Sequence, residues 1–116
     1  MASEDCIFCK IVAGEIPAAK VYEDERAVAF RDINPQAPTH ALVIPRRHVA
    51  SLNEAAEDDE ALLGHLLLVA ARVARSEGHA ERGYRTIINT GPGAGQTVFH
   101  VHVHVLGGRA LTWPPG

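Results

Sequence analysis

Residues 99–108 read FHVHVHVLGG, placing three of the chain's seven histidines at every second position. Successive side chains of a strand point to opposite faces. As a strand, this run puts Val98, His100, His102 and His104 on one face. Phe99, Val101, Val103 and Val105 share the other, which is expected to be buried against a helix. Neighbouring histidines would then lie about 6.5–7 Å apart at their Cα atoms. That spacing fits a histidine-rich polar face, a metal site of His-x-His type, or imidazoles acting directly in acid–base or nucleophilic chemistry.

The 116 residues fit one compact domain with a single core, and the 47% apolar and 22% charged composition is that of a globular chain. A net charge of −3 offers no basic field for nucleic acid or an anionic membrane. A small phosphate-bearing ligand held locally remains open. No stretch reaches the roughly 18 apolar residues of a spanning helix. The first residues, MASEDCIFCK, lack the basic-then-apolar layout of a signal peptide, so a cytoplasmic location is expected. In such a reducing compartment, the Cys6-x-x-Cys9 pair points to metal or redox chemistry rather than a disulfide framework.

Outward from the histidine run, the sequence reads as an α+β domain. CIFCKIVAGEIP is a short helix stopped by Gly14, and AKVYEDERAVAFRDI is a hairpin turning at Glu23–Arg26. HALVIP is a third strand closed by Pro45. From Glu57 to Glu77 runs the longest helix, with Glu57, Asp58, Asp59 and Glu60 at the positive end of its dipole. Leu62, Leu66, Val69 and Val73 form one apolar stripe, and Leu63, Leu67, Ala70 and Ala74 form a second. Two stripes suit a helix that faces both its own sheet and a partner subunit. YRTIINT is a fourth strand, GPGAGQ a glycine-rich loop, TVFHVHVHVL the fifth strand and TWPPG a proline-locked tail. Three strands before the long helix and two after it predict helices packed on a five-stranded antiparallel sheet.

Gly91, Gly93 and Gly95, followed by Gln96 and Thr97, form a loop whose backbone amides can approach phosphate oxygens. It is no P-loop, because no Lys-Ser/Thr pair or helix follows. Directly before three histidines, it favours phosphate chemistry over hydration or redox chemistry.

His100-Val-His102-Val-His104-Val-Leu106 resembles the signature of the histidine triad (HIT) superfamily. CIFCKIVAGEIPA, AFRDINPQAPTHALVIPRRH, GYRTIINTG, GQTVFHVHVHVLGG and the final WPPG are similar, in that order, to its histidine triad nucleotide-binding branch. The resemblance runs from about Cys6 to Gly116 and implies a single HIT domain over residues 1–116. It implies a purine nucleoside phosphoramidase, acting on nucleoside phosphoramidates or acyl-adenylates through a nucleotidyl-histidine. A dinucleoside polyphosphate hydrolase or nucleotidyl transferase, a nucleotide-binding scaffold, and a metal-dependent hydrolase are the alternatives.

Carried over by position, His102 is the nucleophile, its other ring nitrogen donating to a backbone carbonyl to fix the tautomer. His104, Thr97 and the loop around Gly95 and Gln96 would hold the phosphoryl oxygens. His40 would orient His102 and move a proton toward the leaving amine. Asp32 would bind ribose hydroxyls, Asn89 would lie near phosphate and ribose, and Phe8, Phe30 and Ile33 would line the base pocket. The same resemblance implies a structural zinc on Cys6, Cys9, His48 and His100, not required for the chemistry. It further implies a homodimer in which Trp113–Gly116 approaches the partner's active site. His65 and His79 match no functional position, and Arg46 and Arg47 read as solvated.

Overall fold

The computed structural model describes residues 4–116. Its elements are α1 (Ile7–Val12), β1 (Lys20–Glu23), β2 (Ala27–Arg31), β3 (Thr39–Pro45), α2 (Glu60–Ser76), β4 (Tyr84–Ile87) and β5 (Val103–Gly107). The strands form one antiparallel sheet in the order β1-β2-β3-β5-β4. The architecture is the α+β arrangement expected, with one long and one short helix.

The period-2 alternation sorts the sheet into two faces. Ala27, Ala29, Ala41, Val43, Val103 and Val105 meet Leu66, Val69, Ala70, Val73 and Ala74 of α2. Alanines on the sheet let the helix backbone approach closely. Val28, Phe30, Leu42 and Ile44 face the other way and pack on Phe8, Cys9 and Ile11 of α1. Central strands buried on both faces read as nearly continuous apolar runs, which is what HALVIP is.

Local chemistry sets the element ends. The Cys6 thiol caps α1 by accepting from the Cys9 amide at 3.3 Å. In the β1–β2 turn, Asp24 Oδ1 accepts from the amides of Arg26 and Ala27, both at 2.8 Å. Its other oxygen lies 2.7 Å from His65 Nε2, which ties the hairpin to α2. Asp59 is not merely dipole-complementing: it is buried, accepts from the Ala56 amide at 2.8 Å and pairs with Arg47. Arg46 likewise is engaged, by the Asp24 carbonyl and Glu23, rather than solvated.

The fifth strand is shorter than its sequence pattern predicts. Phe99, expected among the buried valines, is 46% exposed, and ladder pairing starts at Val103. The cause lies across the sheet. Pro45 has no N–H and ends β3, so residues 98–102 find other partners. The Val101 amide donates to the Val49 carbonyl, and the Val98 carbonyl accepts from the Gln96 side chain at 3.1 Å. Alternation resumes at Val101, which is buried with Val103 and Val105.

The closing glycines of FHVHVHVLGG also have a packing reason. A Cβ on Gly107 would sit 2.7 Å from the His79 ring, and one on Gly108 would sit 2.8 Å from Pro38. The His79 ring thus packs closely on this backbone, its Nε2 donating to Thr39 Oγ1 at 2.8 Å. Of the second apolar stripe of α2, Leu67 is exposed; its neighbour Leu68 is 63% exposed.

Candidate active site

A cavity of about 680 Å³ opens on the α1 face of the sheet, where β3 and β5 meet the loops at their ends. Phe8, Phe30, Leu42 and Ile11 form its apolar floor, with Ile33 fully exposed at the rim. Asp32, Asn89, Gly95, Thr97, His102 and His104 supply its polar wall. Phe8 packs edge-on against Phe30 and His102, with centroids 5.4 and 5.2 Å away. The aromatic residues therefore belong to the core and to the cavity at once.

The fixed backbone partners of the histidines determine which nitrogen carries a proton. His102 Nδ1 donates to the His100 carbonyl at 2.8 Å, so Nε2 keeps its lone pair. This is the expected nucleophile tautomer. The Gln36 amide donates to His40 Nδ1 at 3.0 Å, leaving the His40 proton on Nε2. From there it reaches His104 Nδ1 at 2.9 Å, with Asp32 Oδ2 at 3.4 Å from the same nitrogen. His104 is then protonated on Nε2. His40 thus contacts His104, which corrects the expectation that it orients His102.

Burial pushes the pKa of all three rings down. His104 falls to about 4, helped by the neighbouring His102 and His40. His102 falls for the same reason of burial, opposed by its bond to the His100 carbonyl, and His40 falls with Asp32 opposing. Near neutral pH the three are uncharged imidazoles, one with a lone pair free and one with an N–H free.

Gln96 is a second correction. Its side chain does not line the cavity but is buried as a strut. Oε1 accepts from the Gly91 amide at 2.8 Å, while Nε2 donates to the carbonyls of Ala50 at 2.8 Å and Val98 at 3.1 Å. Its own amide donates to the Gly91 carbonyl at 3.1 Å, closing the loop at two points. Gly91 and Gly95 have φ of +87° and +94°, conformations that suit glycine. Gln96 thereby holds Gly95 and Thr97 against the cavity. Asp32 is held in turn, its Oδ1 accepting from the Asn34 amide at 2.8 Å.

Beside this site, Cys6, Cys9, His48 and His100 bring two thiols and two Nδ1 atoms within 4.8 Å of one another. Cys9 Sγ is 3.2 Å from His48 Nδ1, and Cys6 Sγ is 3.4 Å from His100 Nδ1. His100 Nε2 donates to the Pro45 carbonyl at 2.8 Å, which turns the lone pair on Nδ1 toward the sulfurs. A carbonyl that accepts from the far ring nitrogen in this way orients a histidine ligand. Burial pushes the Cys6 thiol up and takes His100 down to about 4, so the imidazole is uncharged and available. Four buried or half-buried S and N donors fit a tetrahedral structural zinc site. Asp32, His40 and His104 also lie within 4.8 Å of one another. They do not fit a metal there, because the Gln36 N–H keeps a proton on the His40 nitrogen that faces the group.

All the residues expected at the nucleotide site except Gln96 and His40 line the main cavity; His40 stands behind His104. The zinc set gathers as expected. The Gln36 amide has no counterpart in the sequence pattern, since a backbone donor leaves no side-chain signal. Trp113, Pro115 and Gly116 border a cavity with His40 and His104 of their own chain. Among the described residues no helix is long and apolar enough to cross a membrane.

The sequence model of the HIT domain matches residues 13–111. An uncharacterized HIT-like protein of Synechococcus elongatus is 60% identical over 114 residues, covering 98% of this chain and 99% of that protein. A 14 kDa zinc-binding protein of Zea mays is 55% identical over 112 residues, covering 95% of this chain and 87% of that one. The crystal structure of a HIT family hydrolase from Legionella pneumophila superimposes with a TM-score of 0.95 at 54% identity, covering 97% of this chain and 100% of that chain. With the family match spanning residues 13–111 and the fold shared over nearly the whole chain, the chain belongs to the HIT domain family.

Proposed function

We propose that this chain is a nucleotide-binding hydrolase that cleaves the P–N bond of purine nucleoside 5′-phosphoramidates through a covalent nucleotidyl-His102. The observation that carries this reading is the pairing of opposite tautomers: a lone pair on His102 Nε2 beside an N–H on His104. In the first half-reaction His102 Nε2 attacks the α-phosphorus, the P–N bond breaks, and the leaving amine takes a proton from solvent. In the second, water attacks the same phosphorus, the His102–phosphorus bond breaks and a proton is returned to solvent. The same attack serves acyl-adenylates, with a carboxylate leaving.

His104 Nε2–H, Thr97 and the Gly95 loop hold the phosphoryl oxygens as charge develops, the interaction expected to supply most of the rate. His40 keeps His104 in the donor tautomer rather than carrying the proton itself, since a second proton on Nδ1 would face the Gln36 N–H. Asp32 accepts from ribose hydroxyls at the rim, Asn89 lies near the phosphate and ribose, and Phe8, Phe30 and Ile33 flank the base. Similarity to the HIT family hydrolase of Legionella pneumophila supports the reaction class.

A structural zinc on Cys6, Cys9, His48 and His100 would cross-link α1 to the segment before β5. It takes no part at the phosphorus. The zinc-binding maize relative and the donor geometry support it. A homodimer is the matching assembly, supported by the open edge at β4 and by exposed Leu67 and Leu68 on α2. Sedimentation analysis returning only monomer would remove the dimer.

Incubation with adenosine 5′-phosphoramidate tests the reaction. Turnover that survives chelation and disappears in His102→Ala supports it. Equal turnover by wild type and variant overturns it.

A further inference from the structure

The four donors of the cysteine–histidine cluster come from three segments, and each segment also touches the nucleotide site. Phe8, between Cys6 and Cys9, packs edge-on against both His100 and His102, with centroids 5.9 and 5.2 Å away. The same ring is part of the cavity floor. His48 leads into Val49 and Ala50, whose carbonyls both accept. Val49 takes the Val101 amide at 2.6 Å, and Ala50 takes Gln96 Nε2 at 2.8 Å. This short run therefore anchors Val101, between His100 and His102, together with the strut that closes the glycine loop. His100 carries the third link, since its carbonyl accepts from His102 Nδ1 at 2.8 Å.

These links bear on the nucleophile because the sheet ladder stops short of it. Pairing of β5 with β3 starts at Val103, one residue past His102. The place of the His100 carbonyl thus depends on the fully buried His100 ring. Nε2 of that ring is anchored on the Pro45 carbonyl, while Nδ1 lies 3.4 Å from Cys6 Sγ and 3.2 Å from His48 Nδ1. A metal held by these donors ties the three segments to one point. The cost of ordering them is then met before a nucleotide arrives, which is how one ligand favours another without touching it.

We propose that metal and nucleotide binding are coupled in this chain, with the His100 peptide as the positioning element. Occupancy of the cysteine–histidine cluster fixes the carbonyl that orients His102, and a bound nucleotide fixes the cluster in return. The inference rests on the nucleotide and zinc readings above. The coupling acts on affinity and leaves the chemistry to His102, so turnover at saturating substrate persists without metal. Linkage requires the two effects to be equal in size.

Calorimetric titration with adenosine monophosphate tests this on wild type loaded with zinc and on wild type stripped by chelator, both freed of unbound ions. The loaded protein is expected to bind at least about fivefold tighter. Zinc affinity, read by competition with a chromophoric chelator, should rise by the same factor when the nucleotide is present. Hydrogen exchange at the Val101 amide should slow on loading. Cys9→Ser should bind the nucleotide as the stripped wild type does, with or without zinc. Equal affinity in loaded and stripped wild type overturns the proposal, and so does a zinc effect that survives in Cys9→Ser. A stripped protein that no longer melts cooperatively also overturns it, since the metal would then act through the whole fold rather than through these contacts. A wild type that binds the nucleotide in neither state refutes the nucleotide reading, one that takes up no zinc refutes the zinc reading, and the proposal falls with either.

Discussion

Two clusters of histidine stand side by side in this fold, and their chemistry is opposite. In one, His100 and His48 turn Nδ1 lone pairs toward the thiols of Cys6 and Cys9. In the other, His40 and His104 pass a hydrogen bond in one direction toward the main cavity. The side chains are of the same type and similarly buried. What separates the clusters is one backbone group behind each. The Pro45 carbonyl accepts from His100 and so turns a lone pair inward; the Gln36 amide donates to His40 and so turns a proton inward. The first arrangement fits a metal, and the second does not.

The largest effect should come from the residue between the clusters. His102→Ala is expected to lower kcat/KM for adenosine 5′-phosphoramidate at least about a thousandfold, measured by steady-state release of the nucleotide. Next is the metal. Free zinc at a hundred times its Kd should stabilise the wild type by about 2.7 kcal/mol, read from thermal melts with and without chelator. Turnover should persist after chelation, and Cys9→Ser should abolish the zinc-dependent rise in Tm. Activity that vanished with the metal and returned with it would erase the distinction between the clusters.

Gln96→Glu probes the strut that closes the glycine loop beside the catalytic cluster. The carboxylate can still accept from Gly91 but has no donor for the carbonyls of Ala50 and Val98. Leaving those buried acceptors unpaired should cost about 1–3 kcal/mol of stability in denaturant melts. Turnover should fall with it if the strut positions Gly95 and Thr97. A variant of unchanged Tm and kcat would show that the loop closes without it.

Much of this was legible because binary pattern and tertiary environment agree. HALVIP and the FHVHVHVLGG valines alternate or run continuously, as a sheet covered on both faces requires. The glycine loop and the Cys6–Cys9 pair could be placed beside the histidines from their order in the chain. The rest depended on partners remote in sequence. Phe99 lies outside the strand because Pro45, on another strand, ends the ladder. Gln96 looked like a ligand-facing residue of a loop, and only the position of Ala50 shows where its amide goes. His65 and His79 carry no motif, yet Asp24 and Thr39 give each a packing role.

Gln36→Pro attacks the comparison at its origin. Proline keeps the carbonyl that Arg109 uses but removes the N–H that fixes the His40 tautomer. His40 Nε2 is then free to offer a lone pair toward Asp32 and His104, and the variant should take up a second zinc equivalent that competes with nucleotide. Isothermal titration with zinc, with and without adenosine monophosphate, reads both effects. A single zinc equivalent in the variant would show that the backbone amide does not set the chemistry of this cluster.

The smallest effect is a slope with pH. His104 is held at about 4 by burial and by its histidine neighbours, below the ordinary histidine value of about 6.5. His40 and His102 are depressed as well. A depressed folded pKa means that the unfolded chain binds more protons between the two values, so stability rises with pH across that interval. The contribution is fully present above about pH 6.5 and is lost as the pH falls toward 4. Denaturant melts of the wild type should therefore weaken on acidification through this window. His104→Asn, which keeps a polar side chain but cannot titrate, should show a shallower decline. An identical slope in wild type and variant would mean that His104 is not held neutral by its surroundings, and the donor tautomer assigned to it would lose its support.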